Sequence, residues 1–403
     1  ASDVYKRQGY NIEGAELIMP VTNLSPFACE LFKNEFGKFS QIMPLEIGAS
    51  YSEKKFIPEP GAPIGILLVT GDVNLAVIGT CTFKRGKKVY GFGHPFLMLG
   101  KTNLPMTGGY VLDVLPSLAS SFKIVSPGKI IGRVESDNSR GIIGIIGDPP
   151  ELIELCISLD GHEYNYNIVK ELRLFRSLIE GLLLNVFAME AKLFEKLTIK
   201  YKVNVKTKKY HEINYEDIYV GGVSKGIRLL TDGISYLHKN EFDTIDITKI
   251  KISLLTDTKL REAQIIDIIP QKNFVRKNDI LPIIIKMKTY KGDIIEFREE
   301  IKIPNWLIGN ELTINVSSSD KLLRKIFSKI RNVNELIKFY MERPKNTDIL
   351  ITLTQEDAEL LAPHLPNSLS KLLNKETGTL LQKILHTDWV IKGQKSCKIT
   401  LGE

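Results

Sequence analysis

From Gly9 to about Asp160 the chain runs as short apolar stretches, among them IGILLVTGD, LAVIGTCTF, KKVYGFGHPFLML and GIIGIIGDPP, each cut by glycine or proline. Runs of that length between turn formers predict β-strands joined by tight turns. The Lys84-Arg85-Gly86-Lys87 turn predicts a hairpin whose second strand delivers His94. One stretch breaks the pattern: SPFACELFKNEFGKF reads as a helix starting near Pro26, with Ser25 or Asn23 as its cap.

At Ile168 the period changes. Leu172, Phe175, Ile179, Leu182, Val186, Met189 and Leu193 recur at close to helical spacing with charges between them, which predicts an amphipathic helix over 168–197 packed on the β-domain. TIKYKVNVK then alternates Ile199, Tyr201, Val203 and Val205 with Lys200, Lys202, Asn204 and Lys206, a half-exposed strand. Its lysine row suits the wet face of an edge strand, where charge blocks further pairing. After a helical VSKGIRLLTDGISYLH, about five strand-like runs between polar turns fill 244–316, the spacing of a small β-sandwich. Asp257 and Asp267 sit there at positions expected to face solvent. SSSD at 317–320 caps a helix over KLLRKIFSKI, and the rest reads as a small α+β unit. The expected division is therefore 9–165, 166–243, 244–316 and 317–403.

Composition narrows the function classes. With 403 residues, 43% hydrophobic and 25% charged, the chain can bury two or three cores. Its 54 basic against 47 acidic residues give a net charge of +7, but the basic side chains are scattered among acids instead of forming a patch, so a nucleic-acid partner is not expected. Cys29, Cys81, Cys156 and Cys397 make no CxxC pair, and the six histidines make no HxxxH or HxH spacing, so neither a metal site nor a cofactor is expected. The GIIGIIG glycines lack the lysine of a phosphate loop. The longest apolar candidate for a membrane span, LIEGLLLNVFAM, is too short and holds Glu180. The first eight residues, ASDVYKRQ, do not match the foldable sequence after them and look like the translated end of a sequencing-library adapter, so the natural N-terminus is expected to lie elsewhere.

Candidate chemistry centres on GFGHPFLMLG at 91–100, where His94 stands between Gly93 and Pro95 at a strand end. An imidazole there is either a structural ring with its hydrogen bonds met locally or a group held out for proton transfer. Ser117, Ser120, Ser121 and Ser126 read as turn and strand residues.

PGAPIGILLVTGDVNLAVIGTCTF, VYGFGHPFLMLG, LPSLASSFKIVSPGKIIGRVESDNSRGIIGIIG, and the terminal LPNSL with WVIKG resemble the SpoIVB-type serine peptidases, in particular their long bacterial relatives outside the sporulation setting. The similarity covers nearly everything from Gly9 onward, and the GHPFL and SFKxxSPGxIIG segments are its specific part. The resemblance implies a mainly β protein: an incomplete trypsin-like-clan β-barrel-type domain with a packed amphipathic helix, then an Ig-like β-sandwich and a small α+β C-terminal unit. It implies that His94 is the general base that takes the proton of a serine nucleophile.

The family also needs a serine in a Gly-x-Ser-Gly-x-Pro turn and an aspartate that orients the imidazole. The closest strings, GGVSKG around Ser224 and SSF around Ser121, lack the second glycine and the proline. In the long relatives the serine segment precedes GHPFL, which assigns it to sequence ahead of this chain. The expected function is a fragment of a serine endopeptidase that cuts protein or peptide substrates outside the cytoplasm, inactive by itself. The alternative is a non-catalytic envelope or secreted scaffold built on the same β-domain.

Overall fold

A computed structural model describes residues 17–36, 40–44, 52–115, 122–210, 212–305, 307, 310–359 and 377–402. The protein is mainly β. The first part of the chain forms β1 (Leu17–Thr22), α1 (Pro26–Phe36), β2 (Ser40–Pro44), β3 (Pro63–Gly71), β4 (Asn74–Arg85), β5 (Lys88–Gly91), β6 (Gly100–Leu115), β7 (Phe122–Asn138), β8 (Gly141–Ile146), β9 (Leu152–Leu159) and β10 (His162–Val169). There follow α2 (Leu172–Met189), β11 (Lys196–Thr207), β12 (Ile213–Gly222), α3 (Val223–His238) and β13 (Ile247–Asp257). The thirteen strands make one hydrogen-bonded sheet.

Part of that sheet closes on itself. β3, β6, β7, β8, β5 and β4 are neighbours in that order, every pair is antiparallel, and β3 also pairs with β4. Closure removes the open strand edges that would otherwise invite pairing with another chain. Ile64, Ile66, Val77, Val89, Leu104, Met106, Val134 and Ile142 of these strands are buried in one continuous core. From β4 the sheet continues into β1 and β2, and from β3 into β10, β9, β13, β11 and β12.

Ser25 caps α1, its hydroxyl accepting from the Ala28 amide at 3.4 Å. The second helix is shorter than its apolar period predicts. Glu171 caps α2 at one end, and Ala191 in a left-handed turn (φ 54°) ends it before Leu193. Ile168 and Val169 belong to β10. Asn185, buried in α2, accepts from the Ser25 amide at 2.6 Å and donates to the Asn23 carbonyl at 3.2 Å, tying the start of α1 to the helix. The alternation of β11 is as expected, with Ile199, Tyr201, Val203 and Val205 inward. Its place is not: β11 lies between β12 and β13, and β12 is the edge. The lysines therefore ride on one open face of an interior strand, where Lys202 meets Glu216 across the strand pair at 3.1 Å.

The rest of the chain forms β14 (Glu262–Pro270), β15 (Phe274–Arg276), β16 (Ile280–Thr289), β17 (Ile294–Lys302), β18 (Glu311–Ser318), α4 (Asp320–Phe327), α5 (Val333–Glu342), β19 (Asp348–Glu359), β20 (Thr377–His386), β21 (Val390–Lys392) and β22 (Gln394–Gly402). One sheet is ordered β17-β16-β14-β21 and another β15-β22-β18-β19-β20, and the two share a second apolar core. The strands of 244–316 thus divide among three sheets, with β13 in the first. Leu336, Phe339 and Tyr340 of α5 pack into the first core, not the second.

Candidate active site

His94 lies on the connection from β5 to β6. After Gly91 the chain turns through two successive left-handed residues, Phe92 (φ 72°) and Gly93 (φ 76°). A phenylalanine there is strained by about 1–2 kcal/mol, and burial of its ring offsets this. The ring sits over Gly79 of β4, where an added Cβ would come within 2.4 Å of it, and the Phe92 amide donates to the Thr80 carbonyl at 2.9 Å. Phe96 is a second plug, fully buried in the core. His94 between them is half-buried, its ring centroid 5.8 Å from that of Phe92.

The imidazole Nδ1 is 2.9 Å from the Pro95 carbonyl oxygen. A carbonyl only accepts, so Nδ1 carries the hydrogen and the lone pair of neutral His94 is on Nε2. That is the tautomer a general base uses.

The loop around His94 is held from below by Asp137, which is 0% exposed. Its Oδ1 accepts from the Phe96 amide at 2.7 Å, and its Oδ2 accepts from the amides of Leu97 at 2.8 Å and Leu99 at 2.9 Å. Local geometry turns this carboxylate inward. In β7, Val134 pairs with Gly144 and Ser136 with Ile143, so Glu135 is an extra residue on one side of the ladder. Side chains alternate along a strand, and a bulge resets the alternation. Val134 and Asp137 consequently share the buried face, while Glu135 and Ser136 stay half-exposed. Gly141, at the start of β8, closes the loop from another side. Its φ is 131°, and a Cβ there would lie 2.4 Å from the Gly91 carbonyl oxygen and 3.1 Å from the Gly93 nitrogen.

No serine hydroxyl is hydrogen-bonded to His94 among the described residues. Ser117, Ser120 and Ser121 lie outside the described residues, Ser126 is buried in β7, and Ser224 is exposed in the first turn of α3. Asp257 accepts from the Lys259 amide and faces Arg261 at 3.4 Å, and Asp267 accepts from the Ile268 amide, so neither orients His94. Among the described residues no group of three or more His, Cys, Asp and Glu side chains could hold a metal. The four cysteines are free thiols, and burial pushes all four upward, away from thiolate reactivity. No helix is long and apolar enough to cross a membrane among the described residues.

Sequence reasoning singles out His94 and misses Asp137. ESDNSRG enters the sequence reading only within the stretch that carries the family resemblance, and nothing in its pattern signals the bulge that sends Asp137 inward. No family model, curated protein or solved structure matches the chain.

Proposed function

We propose that the chain is the histidine-bearing part of a SpoIVB-type serine endopeptidase that acts on protein substrates outside the cytoplasm. In this reading the closed six-stranded ring is the counterpart of a trypsin-like-clan barrel, and the paired sheets of the second core are an Ig-like appendage. His94 is the proton acceptor. In this reading the serine lies outside the described residues, and the Pro95 carbonyl takes the Nδ1–H that the family's orienting aspartate would otherwise accept. The observation that carries the reading is the state of the His94 ring: Nδ1 is engaged by the Pro95 carbonyl, which leaves the Nε2 lone pair to take a hydroxyl proton.

A scaffold without catalysis is the second reading. It is favoured by Asp137, the carboxylate that holds the His94 loop, whose two oxygens are engaged by backbone amides instead of an imidazole. The gene product with its natural N-terminus separates the two. The peptidase should label with a fluorophosphonate on a serine and hydrolyse a peptide, and His94→Ala should lower turnover on the order of a hundredfold or more. A folded product that does not label, or one that hydrolyses peptides equally well without His94, would establish the scaffold or remove His94 from the mechanism.

A further inference from the structure

We propose that Asp137 is the positioning residue of His94: a buried carboxylate that gathers three closely spaced loop amides and so fixes where the imidazole points. The proposal rests on the reading of His94 as a proton acceptor, and it names the group that keeps that acceptor in place.

The amides of Phe96, Leu97 and Leu99 have no strand to pair with, because β5 ends at Gly91 and β6 begins at Gly100. Buried amides need acceptors, and here all three converge on one side chain. N–H groups curled around one point form an anion-binding concavity, in this case filled by the chain's own carboxylate. No cationic side chain pairs with Asp137 among the described residues, so the three amides are its charge compensation. The arrangement requires a carboxylate. Asparagine of the same shape offers one acceptor oxygen, and its NH2 group would face N–H donors.

His94 stands two residues before the first clamped amide. On its other side the chain is fixed by the Phe92 ring over Gly79 and by the close approach of Gly141 to Gly91 and Gly93. The imidazole is bonded within the same loop, to the Pro95 carbonyl. Its direction is therefore a property of the loop, and the loop is shaped around Asp137. An ordinary packing residue would account for burial but not for three charge-assisted bonds to amides of one short loop beside a lone histidine.

The test uses the full chain and reads the loop by NMR. In the unmodified protein the Phe96, Leu97 and Leu99 amides should exchange with solvent roughly a hundredfold or more slower than in a free peptide, and the His94 ring nitrogens should report a single Nδ1–H form when neutral. Asp137→Asn should speed exchange at those three amides by about tenfold or more, leave amides in β9 and β11 as they were, and turn the His94 signal into a mixture of tautomers. Asp137→Glu, which keeps the charge but displaces it by one methylene, should fall between.

Fast exchange at the three amides of the unmodified protein would overturn the proposal without any variant, so it is decided even where Asp137→Asn fails to fold. Unchanged exchange and tautomer in a folded Asp137→Asn protein would overturn it too. In a nucleophile-bearing product, Asp137→Asn should lower kcat on the order of a hundredfold with KM held, the scale of misplacing a reacting group. If that product has no activity at all while the exchange and tautomer effects are present, the peptidase reading falls and the role of Asp137 in placing His94 stands.

Discussion

Asp137 and Asp217 are both shut off from water, and the chain neutralises them by different means. Asp137 meets three backbone amides from one short loop. Asp217, on β12, accepts at Oδ1 from the Ile218 and Asn346 amides, both at 2.8 Å, and its Oδ2 lies 3.1 Å from Arg343 without an aligned hydrogen bond. Tyr201, Tyr215 and Tyr340 wall this pair in, the last two with ring centroids 5.2 Å apart. Asp137 organises a loop within a single barrel. Asp217 joins that barrel's extended sheet to the link between α5 and β19, two segments far apart in sequence. Amides give a carboxylate direction, and so suit a place where a short loop must be held in one shape. A guanidinium gives it countercharge from a distance, and so suits a joint.

Removing the cation is the most severe way to break the second arrangement. Arg343→Leu keeps bulk in the wall but leaves Asp217 buried with two amides and no countercharge. Loss of one partner of a buried pair costs about 3–5 kcal/mol, and the midpoint of urea unfolding should fall accordingly. Arg343→Leu combined with Asp217→Asn should recover part of that loss, because no charge is then stranded. Full additivity of the two single changes would show that the pair is not coupled.

The corresponding stress on the first arrangement is Gly141→Ala. The left-handed φ of 131° and the 2.4 Å approach to the Gly91 carbonyl leave no room for a methyl group. Strain of about 1–3 kcal/mol is expected, with chemical-shift changes concentrated at Gly91, Gly93 and His94. An alanine variant as stable as the parent would mean that the β7–β8 turn does not brace the loop.

What the sequence makes legible depends on where each signal resides. Period-2 alternation in TIKYKVNVK and the helical repeat from Leu172 are local, and both appear as the expected element, the helix shortened by its turn at Ala191. Whether β11 is an edge strand is not local, since it depends on β13 arriving some forty residues later to cover its other side. The continuous grouping of 244–316 fails to show in the sheets for the same reason: β14 takes β21, and β15 takes β22, from the far end of the chain. His94 is legible because Gly-His-Pro interrupts an apolar run. Asp137 and Asp217 are not. An aspartate in a polar stretch looks solvent-facing, and only a bulge in one case and a distant arginine in the other make burial tolerable.

The smallest expected effect is the pH dependence that Asp217 gives to stability. Burial pushes its carboxyl above the ordinary value of 3.8, and Arg343 opposes that shift only in part. As pH rises past 3.8 the unfolded chain releases this proton first, so the folded state holds more protons on the group and stability falls. The contribution is complete below 3.8 and lost once pH has risen through the folded value. Asp243 has the opposite sign: Lys209 and Tyr210 hold it at about 2, so its contribution is present above 3.8 and lost as pH falls through about 2. The two therefore act on opposite sides of 3.8. Unfolding free energies measured from pH 4 upward should show the advantage of the parent over Asp217→Asn shrinking as pH rises. In the Arg343→Leu background the interval should extend further upward, because the group that opposes the shift is gone. A parent-to-Asn difference that is constant with pH would mean that Asp217 titrates alike in both states and that Arg343 offsets its burial completely.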